Sequence, residues 1–147
     1  MVKRPTAKVI ITRTTPEGDC EVLLGQSGRG NWKFPGGGQE TFDFGDWERT
    51  AKREVWEETR LRALALIYLG EIEGVPDGDK SHDMRHGMDG GDGLKEHYFW
   101  CESFSGQERP GDDMQALRWF PVNEVLRQLS YETNRRGFNL FLALFEE

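Results

Sequence analysis

Apolar positions alternate with polar ones, or run together in short blocks, over residues 7–13 (AKVIITR) and 21–26 (EVLLGQ). Both are β-strand patterns. Thr15, Pro16, Glu17, Gly18 and Asp19 between them are turn formers, so the two segments predict a hairpin. Residues 64–73 (LALIYLGEIE), 96–104 (EHYFWCESF) and 116–120 (ALRWF) are rich in aliphatic and aromatic side chains and predict three further strands. Helices are expected over residues 47–59, entered through Asp46 as N-cap, over 122–129, and over 131–147. In the last of these Phe138, Phe141, Leu142 and Phe145 recur at i, i+3, i+4 and i+7. That stripe predicts a helix seated on a core, with a homodimer interface as the lesser alternative. The succession of elements predicts an α/β fold, a sheet covered by helices on both faces.

Two stretches carry no such period. Residues 27–45 hold six glycines and a proline around a short WKF segment that could be a strand. Residues 75–95 hold five glycines and five aspartates, an insertion expected to form an exposed loop or lid that influences substrate choice. With 147 residues, 36% of them hydrophobic, the chain is the size of one domain with one real core, spanning residues 1–147. No apolar run approaches the roughly 18 residues that span a bilayer, and the start of the chain lacks the core of a signal peptide. A soluble cytoplasmic protein is expected, with no membrane partner. Cys20 and Cys101 have no CxxC spacing and read as reduced thiols. A net charge of -7 argues against binding long nucleic acid, which needs a basic stripe, but it leaves room for a small phosphorylated substrate if a metal supplies positive charge.

The candidate chemistry lies in REVWEET, residues 53–59. On a helix, Glu54, Glu57 and Glu58 fall on one face, where like charges repel. A solvated surface with Arg53 paired to Glu57 would tolerate that arrangement. The context favours another reading, because FPGGGQE at residues 34–40 brings three glycines whose backbone can approach a ligand closely. A hard cation such as Mg2+ takes about six oxygens, and carboxylates plus a main-chain carbonyl would supply the protein's share. Such a metal neutralises phosphate charge and lowers the pKa of a water, the needs of water attack on a pyrophosphate.

At these residues the chain resembles the Nudix hydrolases, whose signature reads G, five residues, E, seven residues, REUxEExGU, with U aliphatic. Residues 53–59 match REUxEEx and Leu61 the last aliphatic position. WKFPGGGQE resembles the strand and glycine loop before the family's helix, and LRWFPVNEV, residues 117–125, its late strand and short helix. The resemblance implies an α/β/α sandwich around a mixed sheet. It also implies that Glu54, Glu57 and Glu58, with the carbonyl of Gly37 or a neighbouring glycine, bind Mg2+ or Mn2+, and that Arg53 orients the glutamates. The reaction it implies is hydrolysis of a nucleoside diphosphate linked to another group, on a small nucleotide substrate such as a nucleoside triphosphate, a dinucleoside polyphosphate or a nucleotide sugar. Glu54 is the first choice for general base, with Glu96, Asp112 and Asp113 in reserve. Arg29 and Lys33 are candidates to meet phosphates, and Trp32 and Phe34 to stack on a base.

Two positions depart from the signature. Gly45 stands where it has glutamate, and Asp43, Asp46 or Glu48 is expected to take over, with Asp46 ranked first because it adjoins the helix. Arg60 stands where it has glycine, so replacing Arg60 with glycine is expected to stabilise the helix end. The departures leave a catalytically inactive Nudix-fold binding or regulatory module as the alternative function. His82 and His86 have metal-ligand spacing, but the surrounding glycines argue against the helix a zinc pair would need.

Overall fold

A computed structural model describes residues 5–74, 95–111 and 113–146. The predicted hairpin forms: β1 (Thr6–Thr14) pairs antiparallel with β2 (Cys20–Ser27), Ile11 opposite Leu23. The two strands then part, and the WKFPGGG segment fills the gap. Its first piece, β3 (Trp32–Lys33), continues along β2, while β4 (Gly36–Gly38) continues along β1 with Gly37 opposite Ala7. The strand in the glycine run had no sequence signal, since it is held by backbone pairing alone.

Two long strands, β5 (Arg62–Glu73) and β6 (Lys95–Ser105), pair antiparallel on either side of the glycine-rich insertion, which lies outside the described residues together with His82, His86 and Asp112. The other edge of β1 takes β6 in parallel, and β7 (Met114–Pro121) takes the free edge of β2. A mixed sheet of seven strands results among the described residues.

Alternation along β1 sorts its side chains to two cores. Val9 and Ile11 face the layer of α1 (Trp47–Thr59), with Ala51, Val55 and Phe99. Ile10 faces the layer of α2 (Val125–Gln128) and α3 (Glu132–Ala143), with Phe34, Tyr98, Phe138 and Phe141. This is the expected α/β fold, a sandwich with the sheet in the middle. The α3 stripe packs as core at Phe138 and Phe141, while Phe145 lies past the helix end and is exposed. No helix among the described residues is long and apolar enough to cross a membrane.

The ends of α1 fix the candidate site. Asp46 caps its start, the carboxylate accepting from the backbone N–H groups of Glu48 and Arg49. At the other end Arg60 adopts φ 63, the left-handed conformation that glycine normally fills. Its own side chain offsets part of that cost, because Nη1 donates to the carbonyls of Trp56 and Glu57. Arg60→Gly is therefore expected to change stability little, since strain relief is matched by lost capping. Arg60→Ala, which keeps the strain and loses the cap, is expected to melt lower than the glycine variant by about 1 kcal/mol. Equal melting temperatures would remove the side-chain cap from the account.

Candidate active site

Arg53 is the hub. Nε and Nη2 donate to Asp43 at 3.2 and 2.9 Å, Nη2 also to the Gly38 carbonyl at 3.0 Å, and Nη1 to Glu54 at 2.8 Å. Nη1 reaches Glu57 as well, at 3.3 and 3.4 Å. Of the candidate substitutes, Asp43 is the carboxylate that pairs with Arg53, whereas Asp46 Oδ1 caps the helix start. A turn of 3-10 helix over Thr41–Asp43, followed by left-handed Phe44 and Gly45, returns Asp43 to the helix face. Asp43 is 2% exposed. It accepts further from Thr50 Oγ1 and the Glu40 N–H. The hydrogen bonds from Arg53, then those from Glu40 and Thr50, hold its carboxyl far below the usual range against the opposing effect of burial, and they keep Arg53 charged.

The glycine loop meets α1 at close quarters. Gly36 N–H donates to Glu58 Oε1 at 2.9 Å. A Cβ on Gly37 would lie 2.5 Å from the Glu54 carboxylate, so only glycine lets that carboxylate lie against the strand. Lys8, buried on β1 opposite Gly36, lies across the same glycine and lowers the pKa of both Glu54 and Glu58 by its charge. On the far side, Arg109 N–H and Gly111 N–H donate to the carbonyls of Thr59 and Glu58. Gly111 leaves no room for a side chain against the Glu57 carbonyl.

Glu54, Glu57 and Glu58 are therefore neighbours around one loop, with glycine carbonyls at hand. As they stand, no three acidic, His or Cys side chains among the described residues converge as metal ligands. Glu57 is turned toward Arg53 and Glu58 toward Gly36. The donor set nevertheless suits a hard divalent cation, since it is all oxygen. Burial raises the proton affinity of Glu54 and Glu58 even with Arg53, Lys8 and Lys33 nearby.

A family model described as the NUDIX domain matches residues 2–141. The chain belongs to the Nudix family. The MutT4 protein of Mycobacterium tuberculosis is 34% identical over 113 residues, covering 74% of this chain and 40% of that protein. An 8-oxo-(d)GTP phosphatase of Mycolicibacterium smegmatis is 28% identical over 114 residues, covering 76% of this chain and 30% of that one. The chain thus spans less than half the length of these relatives. A structure of the NUDIX domain of Shewanella oneidensis NrtR with ADP ribose has TM-score 0.78 at 14% identity, over 99% of this chain and 90% of that one.

Measured against the Nudix expectation, several residues sit elsewhere. Phe34 is fully buried between Tyr98 and Phe138, with no face for a base, and Trp32 packs edge-on against Phe120 in the same core. Hydrophobic neighbours enclose the Phe34 ring, whereas Trp32 stays half-buried. Arg29 and Lys33 line one cleft with Met114 and Gln115, and Lys33 lowers the pKa of Glu58, so it lies within electrostatic reach of the glutamates. Glu96 is buried on the α3 side of the sheet, accepting from Tyr98 Oη and Thr133 Oγ1, which takes it away from α1. Asp113 is exposed in a left-handed turn. Lys8 was overlooked, although a lysine inside an otherwise apolar strand was a visible signal.

Burial, opposed by the Gly36 N–H and by Lys33 and Lys8, pushes the Glu58 carboxyl up to about 7 from a usual value of 4.5. A carboxyl whose pKa is raised on folding favours the folded state while protonated. Its share of stability is complete below about pH 4.5 and is lost as pH rises through about 7. The melting temperature of metal-free protein is expected to fall across that window, the Glu58 share amounting to roughly 3 kcal/mol. Glu58→Gln, which keeps an acceptor for Gly36, is expected to flatten the profile. An unchanged profile in the variant would assign the dependence to other groups.

Proposed function

We propose that this chain hydrolyses a diphosphate linkage in a nucleotide derivative, with Mg2+ or Mn2+ held by Glu54, Glu57, Glu58 and the carbonyl of Gly37 or a neighbouring glycine. The observation that carries the reading is the Arg53 hub. One guanidinium, anchored on Asp43 and Gly38, holds Glu54 and Glu57 side by side against the glycine loop. A binding module has no need of repelling carboxylates positioned with that much buried hydrogen bonding, and the pairing of Asp43 with Arg53 supports the reading despite the glycine at position 45.

When bound, the metal neutralises the bridging phosphates and makes water more acidic. Arg53 fixes the orientation of Glu54 through Oε2, and burial raises the proton affinity of that carboxylate, so Glu54 is suited to take a proton. Water attacks one phosphorus and forms the new P–O bond, its proton passes to Glu54, and the bond to the bridging oxygen breaks. The leaving group departs with the electron pair on that oxygen. Lys33 and Arg29 line one cleft, and Lys33 acts electrostatically on Glu58, so a phosphate there would find positive charge. The small nucleotide class is supported by the relatives, one called an 8-oxo-(d)GTP phosphatase and another solved with ADP ribose.

The test is release of phosphate, pyrophosphate or nucleoside monophosphate from nucleoside triphosphates, dinucleoside polyphosphates and nucleotide sugars, with and without Mg2+ or Mn2+. Metal-dependent turnover of at least one substrate is expected. No turnover on the panel, with nucleotide still raising the melting temperature, would favour the binding module.

A further inference from the structure

The turn between β4 and α1 displays two rings that the core does not use. Phe42 is 57% exposed and Phe44 79%. Each is backed by an arginine: the Arg53 guanidinium carbon lies 5.2 Å from the Phe42 ring centre, and that of Arg49 lies 5.3 Å from Phe44. Phe44 also adopts φ 56, a conformation that is costly for a bulky residue and easy for glycine or asparagine. The turn alone would be better served by either. Rings that rest on a cation, with area still open to solvent, form a ready surface for another flat aromatic group.

Position narrows what that group is. The guanidinium behind Phe42 is the one that donates to Glu54 and Glu57, so the Phe42 ring stands one side chain away from the candidate metal carboxylates, with Phe44 two residues further along the same turn. A nucleobase is flat, and its ribose and phosphate tether it to the bond being cleaved. Arg49 would also favour a phosphate close by.

We propose that Phe42 and Phe44 form a stacking platform for the base of the nucleotide whose diphosphate lies at Glu54, Glu57 and Glu58. The inference rests on the hydrolase reading of that site. Its test uses the full chain with Mg2+ and two variants: Phe42→Leu, which keeps an apolar cover over Arg53, and Phe44→Asn, which suits the left-handed turn. Each is expected to raise KM for an adenine nucleotide about tenfold, while hydrolysis of a base-free substrate, phosphoribosyl pyrophosphate, stays within twofold or so of wild type. In parallel, Phe44→Trp is titrated with ADP and with inorganic pyrophosphate, with wild-type fluorescence as the blank. Quenching by ADP alone is the expected result.

Equal losses on both substrates, or no loss on either, would overturn the platform and leave the hydrolase standing. Absence of turnover on every substrate would instead remove the hydrolase reading. The titration then decides the platform alone: quenching confined to ADP keeps it, and quenching by both ligands or by neither overturns it.

Discussion

Glu57→Gln is expected to abolish metal-dependent turnover, by at least about a thousandfold, equivalent to roughly 4 kcal/mol of transition-state stabilisation. The same variant is expected to fold and melt like the wild type. Glu57 is partly exposed and meets Arg53 only at 3.3 and 3.4 Å, whereas Asp43 and Glu54 hold the guanidinium at 2.9 and 2.8 Å. Losing a weak partner costs little, and removing one of several crowded charges offsets it. Kinetics with Mg2+ beside a metal-free melt separate the outcomes. A large fall in metal-free stability would make Glu57 a structural partner of Arg53, and retained turnover would take it out of the metal site.

Asp43→Asn should show the opposite balance. It breaks a two-pronged ion pair that is almost wholly buried, and leaving the Arg53 charge without its main partner is expected to cost about 3 kcal/mol or more. In a chain of this length that lowers the melting temperature by roughly 10 °C. Turnover should fall about 10- to 100-fold, less than for a direct ligand, because Glu54 and Glu57 remain but lose their fixed orientation. Gly45→Glu, the substitution that would restore the signature, is not expected to rescue the variant. Gly45 is exposed at φ 75, so a side chain there adds strain and sits outside the buried pair. A melt within 1–2 °C of wild type for Asp43→Asn would refute the buried-pair account.

The difference between Asp43 and Asp46 shows where the sequence could be read and where it could not. Helix α1 was legible from its cap at Asp46 to about Thr59, because Asp46 is a good cap and the apolar positions Ala51 and Val55 keep helical spacing. Adjacency to the helix argued for Asp46 as the substitute carboxylate, yet its Oδ1 caps the helix and it is Asp43 that pairs with Arg53. Asp43 reaches Arg53 only through a left-handed turn at Phe44 and Gly45, and such a path leaves no periodic trace. The same holds for β4, where three glycines pair through backbone alone, and for Phe34, whose aromatic character suited stacking until the core claimed it. Local pattern was enough for the two layers and the acidic helix face. The contacts made by single side chains across turns needed coordinates.

The parallel pairing of β1 with β6 has a consequence for how the protein comes into being. Thr6 through Ile11 lie opposite Glu96 through Cys101, so β1 must wait until the chain has been made as far as β6 before its second neighbour exists. Local hairpin contacts form early, but non-local parallel pairing is slow to close. Until it does, β1 has an apolar edge without a partner. Because β4 is laid on the opposite edge of β1, the glycine loop can gain its final rigidity only with that late step. Amide exchange at Gly36 and Gly37 should then report completion of the whole sheet, and the glycine loop beside Glu54 and Glu58 would be the last part of the candidate site to settle in each new chain.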